Sequence, residues 1–335
     1  MLLAGCATKS DVADDDAPCC TFHYSDYPWV TEHEGLYYFM KMPPHSNSIF
    51  MYVSDNPKDF EHGREVMVLN PKECVLHHIW SPELHRINDK WYIYFEGDDG
   101  VNTDNHQIYV LENVNEDPTT GEWMLHGPIV TNEEWNFGLH PSSFVLNGKQ
   151  YLLWSGWEHR RTETETQCIF IAEMENPWTL KSERVLISKP DFEWERQWVK
   201  PDGRRSAYPI FVNENPEPFV SPDGKFVFVG YSASGIWTPY HLLGLLYAPA
   251  DADLLKASSW TKCAEPQFMP EESIRDKVYG VSNISVLTLP GEEQSMIFYD
   301  VTEPDAEDED VEASNVYVKR ISWNEKSMPI FGLPK

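Results

Sequence analysis

Trp80-Ser81-Pro82-Glu83-Leu84-His85-Arg86-Ile87-Asn88-Asp89-Lys90-Trp91-Tyr92-Ile93-Tyr94-Phe95-Glu96-Gly97 is the stretch on which the fold turns. Its centre reads as a hairpin. Leu84 to Ile87 runs into a two-residue Asn88-Asp89 turn, and Lys90 to Phe95 returns with alternating aromatic and β-branched residues. Glu83 stands between a proline and the first strand, a carboxylate at a strand entrance. The same pattern recurs around Glu34-Gly35, Asn147-Gly148, Asp223-Gly224 and Pro290-Gly291. These turns lie roughly 54 to 76 residues apart, room for three or four short strands each. One such meander cannot bury both faces alone, whereas five arranged radially can. The expected fold is therefore all-β, a five-bladed β-propeller, with a β-sandwich as the alternative.

Composition agrees with short strands and many turns. Of 335 residues, 13% are aromatic and 24% charged, with 25 prolines and 18 glycines. No run of 18 apolar residues occurs, so no transmembrane helix is expected. A net charge of −28 argues against nucleic acid or a sulfated polysaccharide as a surface ligand. The six cysteines are too scattered for a disulfide scaffold or a zinc cluster. Cys74 beside His77 and His78 does not make an oriented thiolate–imidazole pair.

The chain starts Met1 to Gly5 followed by Cys6, which resembles the end of a bacterial lipobox. On that reading Cys6 carries lipid, residues 1–20 are a shortened signal and tether with the acidic run Asp11 to Asp16, and 21–335 form a single propeller. The protein would then work in the bacterial periplasm or at the outer-membrane surface, with membrane attachment only through that lipid. Lys189 to Tyr208 reads as a rim loop, and Glu303 to Glu312, with seven acidic residues, as a solvated excursion in blade five.

In a propeller the entrances of the innermost strands converge at one mouth. Those positions are Asp26, Glu83, His140, Glu214 with Glu217, and Asn283. Carboxyls gathered there suit glycoside hydrolysis, in which one protonated carboxyl donates to the leaving oxygen and an ionised one activates water, about 6.5 to 9.5 Å apart for inversion. By themselves these residues also suit ordinary turn capping.

Trp80-Ser-Pro-Glu83-Leu-His85 with Lys90-Trp-Tyr-Ile-Tyr94 resembles the Trp-Ala-Pro-Glu-Ile-His segment and hairpin of glycoside hydrolase family 43. Asn213-Glu214-Asn215-Pro216 resembles that family's Asn-Glu-Gly-Pro, and Tyr231 to Gly235, Trp237 to Pro239, Leu243 to Leu245, Ala252 to Leu255 and Ile321 to Gly332 extend the likeness. The nearest branch is that of exo-arabinanases and α-L-arabinofuranosidases. The resemblance implies a five-bladed propeller and an inverting exo-glycosidase that releases an arabinofuranose-like or related sugar from plant or algal oligomers. It makes Glu214 the general acid, puts Glu83 near the sugar, and offers Trp29 and Trp80 as apolar faces.

Three positions depart from the family. Its base is the aspartate of an Asp-Pro-Trp-Val segment, whereas Ser25-Asp26-Tyr27-Pro28-Trp29-Val30 puts Tyr27 in that place and Asp26 one residue early, an offset a bulge can absorb. His140 stands where an aspartate tunes the acid. Asn283 stands where a histidine sits near an axial ion or water, so calcium or sodium there is unsupported and no metal or other cofactor is assigned. Trp157, with Arg160-Arg161, is a further candidate for the mouth. With catalytic Glu214, Asp26 and His140 and substrate-binding Glu83, Trp29, Trp80, Tyr27, Asn283 and Trp157, the expected partner is an oligosaccharide. The competing reading is an inactive or weak carbohydrate-binding propeller.

Overall fold

The computed structural model describes residues 17–42, 47–70, 72, 75–160, 165–199, 205–238, 241–270, 280–289, 291–292, 294–304 and 312–334. Cys6, Cys74 and Asp11 to Asp16 lie outside them. Five antiparallel meanders surround one axis. Blade one comprises Trp29–His33, Leu36–Lys41, Ile49–Ser54 and Arg64–Leu69, and blade two His77–Ile87, Lys90–Asp98, Gln107–Asn113 and Met124–Ile129. Blade three runs through Leu139–Leu146, Lys149–Gly156, Glu165–Asn176 and Val185–Ser188, and blade four through Arg205–Val220, Phe226–Ala233, Leu242–Pro249 and Thr261–Lys262. Blade five has Gly280–Leu287, Ser295–Pro304 and Glu312–Trp323. Its fourth strand comes from the other end of the chain: Cys19–Phe22 pairs with Glu312–Trp323, placing Cys19 against Val318. Cys19 and Cys20 therefore belong to the propeller, not to the expected tether of residues 1–20.

The turns follow their residue types. Asn88 and Asp89 both take left-handed φ, +51° and +61°, as a type I′ hairpin requires. Aromatic and aliphatic residues from facing blades interlock between the sheets. Tyr94, Trp154 and Phe170 join blades two and three, and Leu153, Val229 and Tyr231 join blades three and four.

Blades three and four are also hydrogen-bonded to each other. Glu165 to Gln167 pairs in parallel with Ile210 to Val212, so the inner strand of blade four reaches outward beyond its own meander. The same strand pairs with Arg196–Val199. Part of Lys189 to Tyr208 is thus a strand rather than the expected rim loop, because its backbone completes this extended ladder. Within Glu303 to Glu312, Pro304 still faces Glu312 across the ladder, and residues 305–311 lie outside the described set.

One irregularity repeats around the axis. Tyr27, Ser81, His140, Asn215 and Asn283 all have φ between +46° and +52°. The first four precede a proline, which disfavours the right-handed helical region for them. In blades two to five the strand register slips at these residues, between Trp80 and Glu83, Leu139 and Ser142, Glu214 and Glu217, and Ser282 and Ser285. Such bulges redirect consecutive side chains that would otherwise point to opposite faces.

Candidate active site

These bulges border a cavity of about 470 Å³ at one end of the axis. Asp26 and Tyr27 from blade one both reach it, as do Trp80, Leu139 with His140, Glu214 and Asn283. The one-residue offset at Tyr27-Pro28 therefore does not turn Asp26 away. Asp26 is open to the cavity, with protein packed around its remaining sides. That desolvation raises its carboxyl to about 6, against the pull of its own backbone amide and of Lys41.

Glu214 is buried, and its Oε1 accepts a hydrogen bond from the backbone N–H of Ile236 at 2.8 Å. Its Oε2 lies 3.4 Å from Nε2 of His140. His140 is 2% exposed and stacks on Tyr27, with ring centroids 5.5 Å apart and 18° between planes. Burial works against an imidazolium there, but the hydrogen bond to Glu214 and the charges of Glu96 and Glu214 outweigh it and raise the His140 pKa. Nδ1 of His140 lies 2.8 Å from the Ser81 hydroxyl.

Asn283 is held by its whole amide. Its Oδ1 accepts from Asn215 Nδ2 at 2.9 Å and from the Ser232 hydroxyl at 3.0 Å, and its Nδ2 donates to Asp300 Oδ2 at 2.6 Å. Asp300 also borders the cavity, and burial pushes its carboxyl to about 8.

Trp80 borders the cavity and stacks on His106 at 4.2 Å. Trp157 stands behind the wall, stacked at 3.8 Å on Phe137, which itself faces the cavity. Trp29 is also away from it. Its indole N–H donates to the Leu84 carbonyl at 2.8 Å and its ring packs on His85, an inter-blade joint.

Glu83 departs furthest from expectation. It does not border the large cavity but a void of about 10 Å³ deeper along the axis. Its Oε2 lies 3.0 Å from Nε2 of His85. Burial, and then the neighbouring Glu217, raise its pKa far above the ordinary carboxylate range, while burial lowers His85 to about 3. A neutral carboxyl donating to a neutral imidazole satisfies both. The bulge at Ser81-Pro82 is what separates Trp80, in the cavity, from Glu83, beneath it.

Asp300, Gln167 and His241 border the cavity without having stood out in the sequence, and so does Trp237, which was part of the likeness but not a site candidate. Gln167 arrives through the parallel joint between blades three and four, 3% exposed, and its Oε1 has no protein partner. His241 bonds to the Ser282 hydroxyl through Nδ1 and approaches Thr302 Oγ1 at 3.4 Å. A side chain at Gly280 would overlap the His241 ring, its Cβ 1.8 Å from Nε2. Trp237 stands 45% exposed at the mouth. Tyr299-Asp300 lies on a second strand, so a search of strand entrances passes over it. Among the described residues no group of three or more His, Cys, Asp or Glu could hold a metal ion.

A cavity with carboxyls from blades one and four on its wall can present an acid and a base to one bond from two sides. Residues 15–329 match the family model described as glycosyl hydrolases family 43. The chain is 31% identical over 312 residues to the extracellular exo-alpha-(1->5)-L-arabinofuranosidase of Streptomyces avermitilis, covering 92% of this chain and 61% of that protein. It is 32% identical over 257 residues to the protein of the same name from Streptomyces chartreusis, covering 76% of this chain and 72% of the relative. The crystal structure of alpha-L-arabinofuranosidase from Lactobacillus brevis matches with a TM-score of 0.80 and 28% identity, over 94% of this chain and 95% of that one. A thermostable family-43 glycoside hydrolase, 19% identical, shares the fold at a TM-score of 0.73, over 95% of this chain and 96% of that one. The chain spans 61% of the length of the relatives from Streptomyces avermitilis, Humicola insolens and Pyricularia oryzae.

Proposed function

The chain belongs to glycosyl hydrolase family 43, and from that premise we propose that it is an exo-acting glycosidase releasing a terminal arabinofuranose-like sugar with inversion. The observation that carries this reading is the single cavity bordered by Asp26 and Glu214, carboxyls from two different blades. Glu214 is the general acid. The Ile236 N–H holds Oε1, which leaves Oε2 to exchange a proton with its surroundings. Asp26 is the general base: with its carboxyl near 6 it is ionised at neutral pH and basic enough to take a proton from water. Proton donation to the leaving oxygen and water attack on the opposite face of the sugar then proceed together.

Tyr27 and His140 form a stacked floor between the two carboxyls, and Trp80 and Trp237 supply aromatic faces for the sugar. Asn283 holds Asp300 in the cavity wall. Glu83 acts indirectly, bracing the axis beneath the site with His85. The natural substrates are neutral arabinose-containing oligosaccharides. The protein acts outside the cytoplasm, a reading supported by the two Streptomyces relatives, both extracellular arabinofuranosidases. Lipid attachment at Cys6 and a signal segment before a catalytic domain are part of the same proposal.

His140, in contact with the acid, also supports the competing reading of a binding propeller. The two readings separate in one experiment. Wild type and Glu214→Gln are incubated with arabino-oligosaccharides and an aryl arabinofuranoside, and products are followed by NMR from the first minutes. Release of an inverted monosaccharide by wild type alone supports the glycosidase. Oligosaccharide affinity without product from either protein overturns it in favour of binding.

A further inference from the structure

Glu96 lies near the end of the second strand of blade two and is fully buried, yet it does not border the cavity. Neither of its carboxylate oxygens has a hydrogen-bond partner of ordinary geometry, although the His140 backbone N–H and the Ser81 hydroxyl lie near enough to favour its ionised form. A buried carboxyl in that state costs folding free energy, so its position calls for a compensating contact. Its ion-pair neighbour is His140, whose Nδ1 stands 3.6 Å from Glu96 Oε1, and the opposite ring atom, Nε2, stands 3.4 Å from Glu214 Oε2. Glu96, His140 and Glu214 thus form a row from the protein interior to the cavity wall, with all three side chains buried.

We propose that Glu96 is a positioning residue that keeps a hydrogen on Nδ1 of His140 and so turns Nε2 towards Glu214. The inference rests on the reading of Glu214 as the acid, and it adds a residue to that reading. An imidazole between two carboxylates has two choices of protonated nitrogen. Glu96 is an acceptor when ionised, and the Ser81 hydroxyl, 2.8 Å from Nδ1, accepts as well. Together they favour hydrogen on Nδ1 in both charge states, so the atom that gains and loses a proton is Nε2, the one facing Glu214.

The charges fit this division. Burial raises Glu96 to about 7, with the charge of His140 first among the influences pulling the other way. The groups facing this row are Tyr27, stacked on the His140 ring, Ser81, and Glu83, which lies close enough to Glu96 to feel its charge. None is a cation. His140 is therefore the natural counter-ion of Glu96. The histidine occupies the place of a family aspartate, and an anion is restored one layer further back.

The test is a 15N-edited NMR titration of the His140 imidazole in wild type, Glu96→Gln and Ser81→Ala, which requires no turnover. Wild type is expected as the Nδ1–H tautomer when neutral. Glu96→Gln should lower the His140 pKa by at least one unit and mix the tautomers, and Ser81→Ala should shift it less. An unchanged tautomer and pKa in Glu96→Gln overturns the proposal, as does an Nε2–H tautomer in wild type, a result that stands even if the variant fails to fold. On an aryl arabinofuranoside, Glu96→Gln should move the pH profile of kcat and leave KM within about twofold. Loss of folded protein would lower the apparent kcat by the same factor at every pH, without moving the profile. If wild type shows no activity but the titration behaves as expected, the glycosidase reading fails and the Glu96 assignment survives.

Discussion

Two sets of acidic groups lie along the same axis. In the upper set, Asp26, Glu214 and Asp300 face a cavity of about 470 Å³. In the lower set, Glu83 and Glu217 face a void of about 10 Å³ or the backbone; Glu217 Oε1 accepts from the Val286 N–H at 3.3 Å. Both sets contain carboxyls raised by burial. A raised pKa therefore does not separate a reaction centre from a structural one here. What separates them is the space into which each group can deliver its proton, and that space is set by the bulges that place neighbouring residues on different levels.

The upper set is tested most severely by Glu214→Gln, which should lower kcat by about 10³-fold or more on substrates with a poor leaving group. Activated aryl glycosides should suffer less because they need less proton donation. Asp26→Asn should cost about 10²- to 10⁴-fold on both substrate types, since water activation is needed in each. The base must be ionised, so wild-type kcat/KM should fall as pH drops through about 6, and that acid limb should vanish from the residual activity of Asp26→Asn. A limb that persists in the variant would assign it to another group.

The lower set should answer in stability instead. Glu83 and Glu217 have folded-state values raised above the ordinary 4.5. The folded protein therefore holds protons that the unfolded chain releases, and stability should decline as pH rises from about 4.5 through the raised values. Glu83→Gln should flatten this decline in a series of Tm measurements across pH while leaving kcat within about threefold. A loss of activity comparable to that of Glu214→Gln would erase the distinction between the two sets.

Smaller effects sharpen the boundary. Trp237→Ala, at the exposed mouth, should raise KM by up to about tenfold with kcat little changed, because an aromatic contact is worth about 1 kcal/mol. Trp29→Phe loses the hydrogen bond to the Leu84 carbonyl and should cost about 1 kcal/mol in urea unfolding with no change in KM.

The fold was legible because it rests on local signals. Asn88-Asp89 and Asn147-Gly148 name their turns, and the aromatic strands beside them name their faces. The site was legible only in part. Glu214 and Asp26 belong to strand entrances, and the likeness to known sequences pointed to both. Glu83 carries the same kind of signal but sits one level lower, because a bulge at Ser81-Pro82 cannot be placed from strand alternation. Gln167 reaches the cavity through a parallel pairing between blades, a contact with no local signature. Asp300 and Glu96 sit on second strands, where a buried carboxylate reads as an exception to an apolar run until its neighbours are known.

The pairing of Cys19–Phe22 with Glu312–Trp323 also sets an order of events during synthesis. Cys19–Phe22 is made before blades one to four yet pairs with a strand made after them, so blade five is completed only when the chain between them has been synthesised. In the closed ring burial foremost pushes the Cys20 thiol up to about 11, which lowers its thiolate fraction. Ring closure is thus also the moment at which Cys20 becomes less reactive, and a thiol-labelling pulse during refolding would time it.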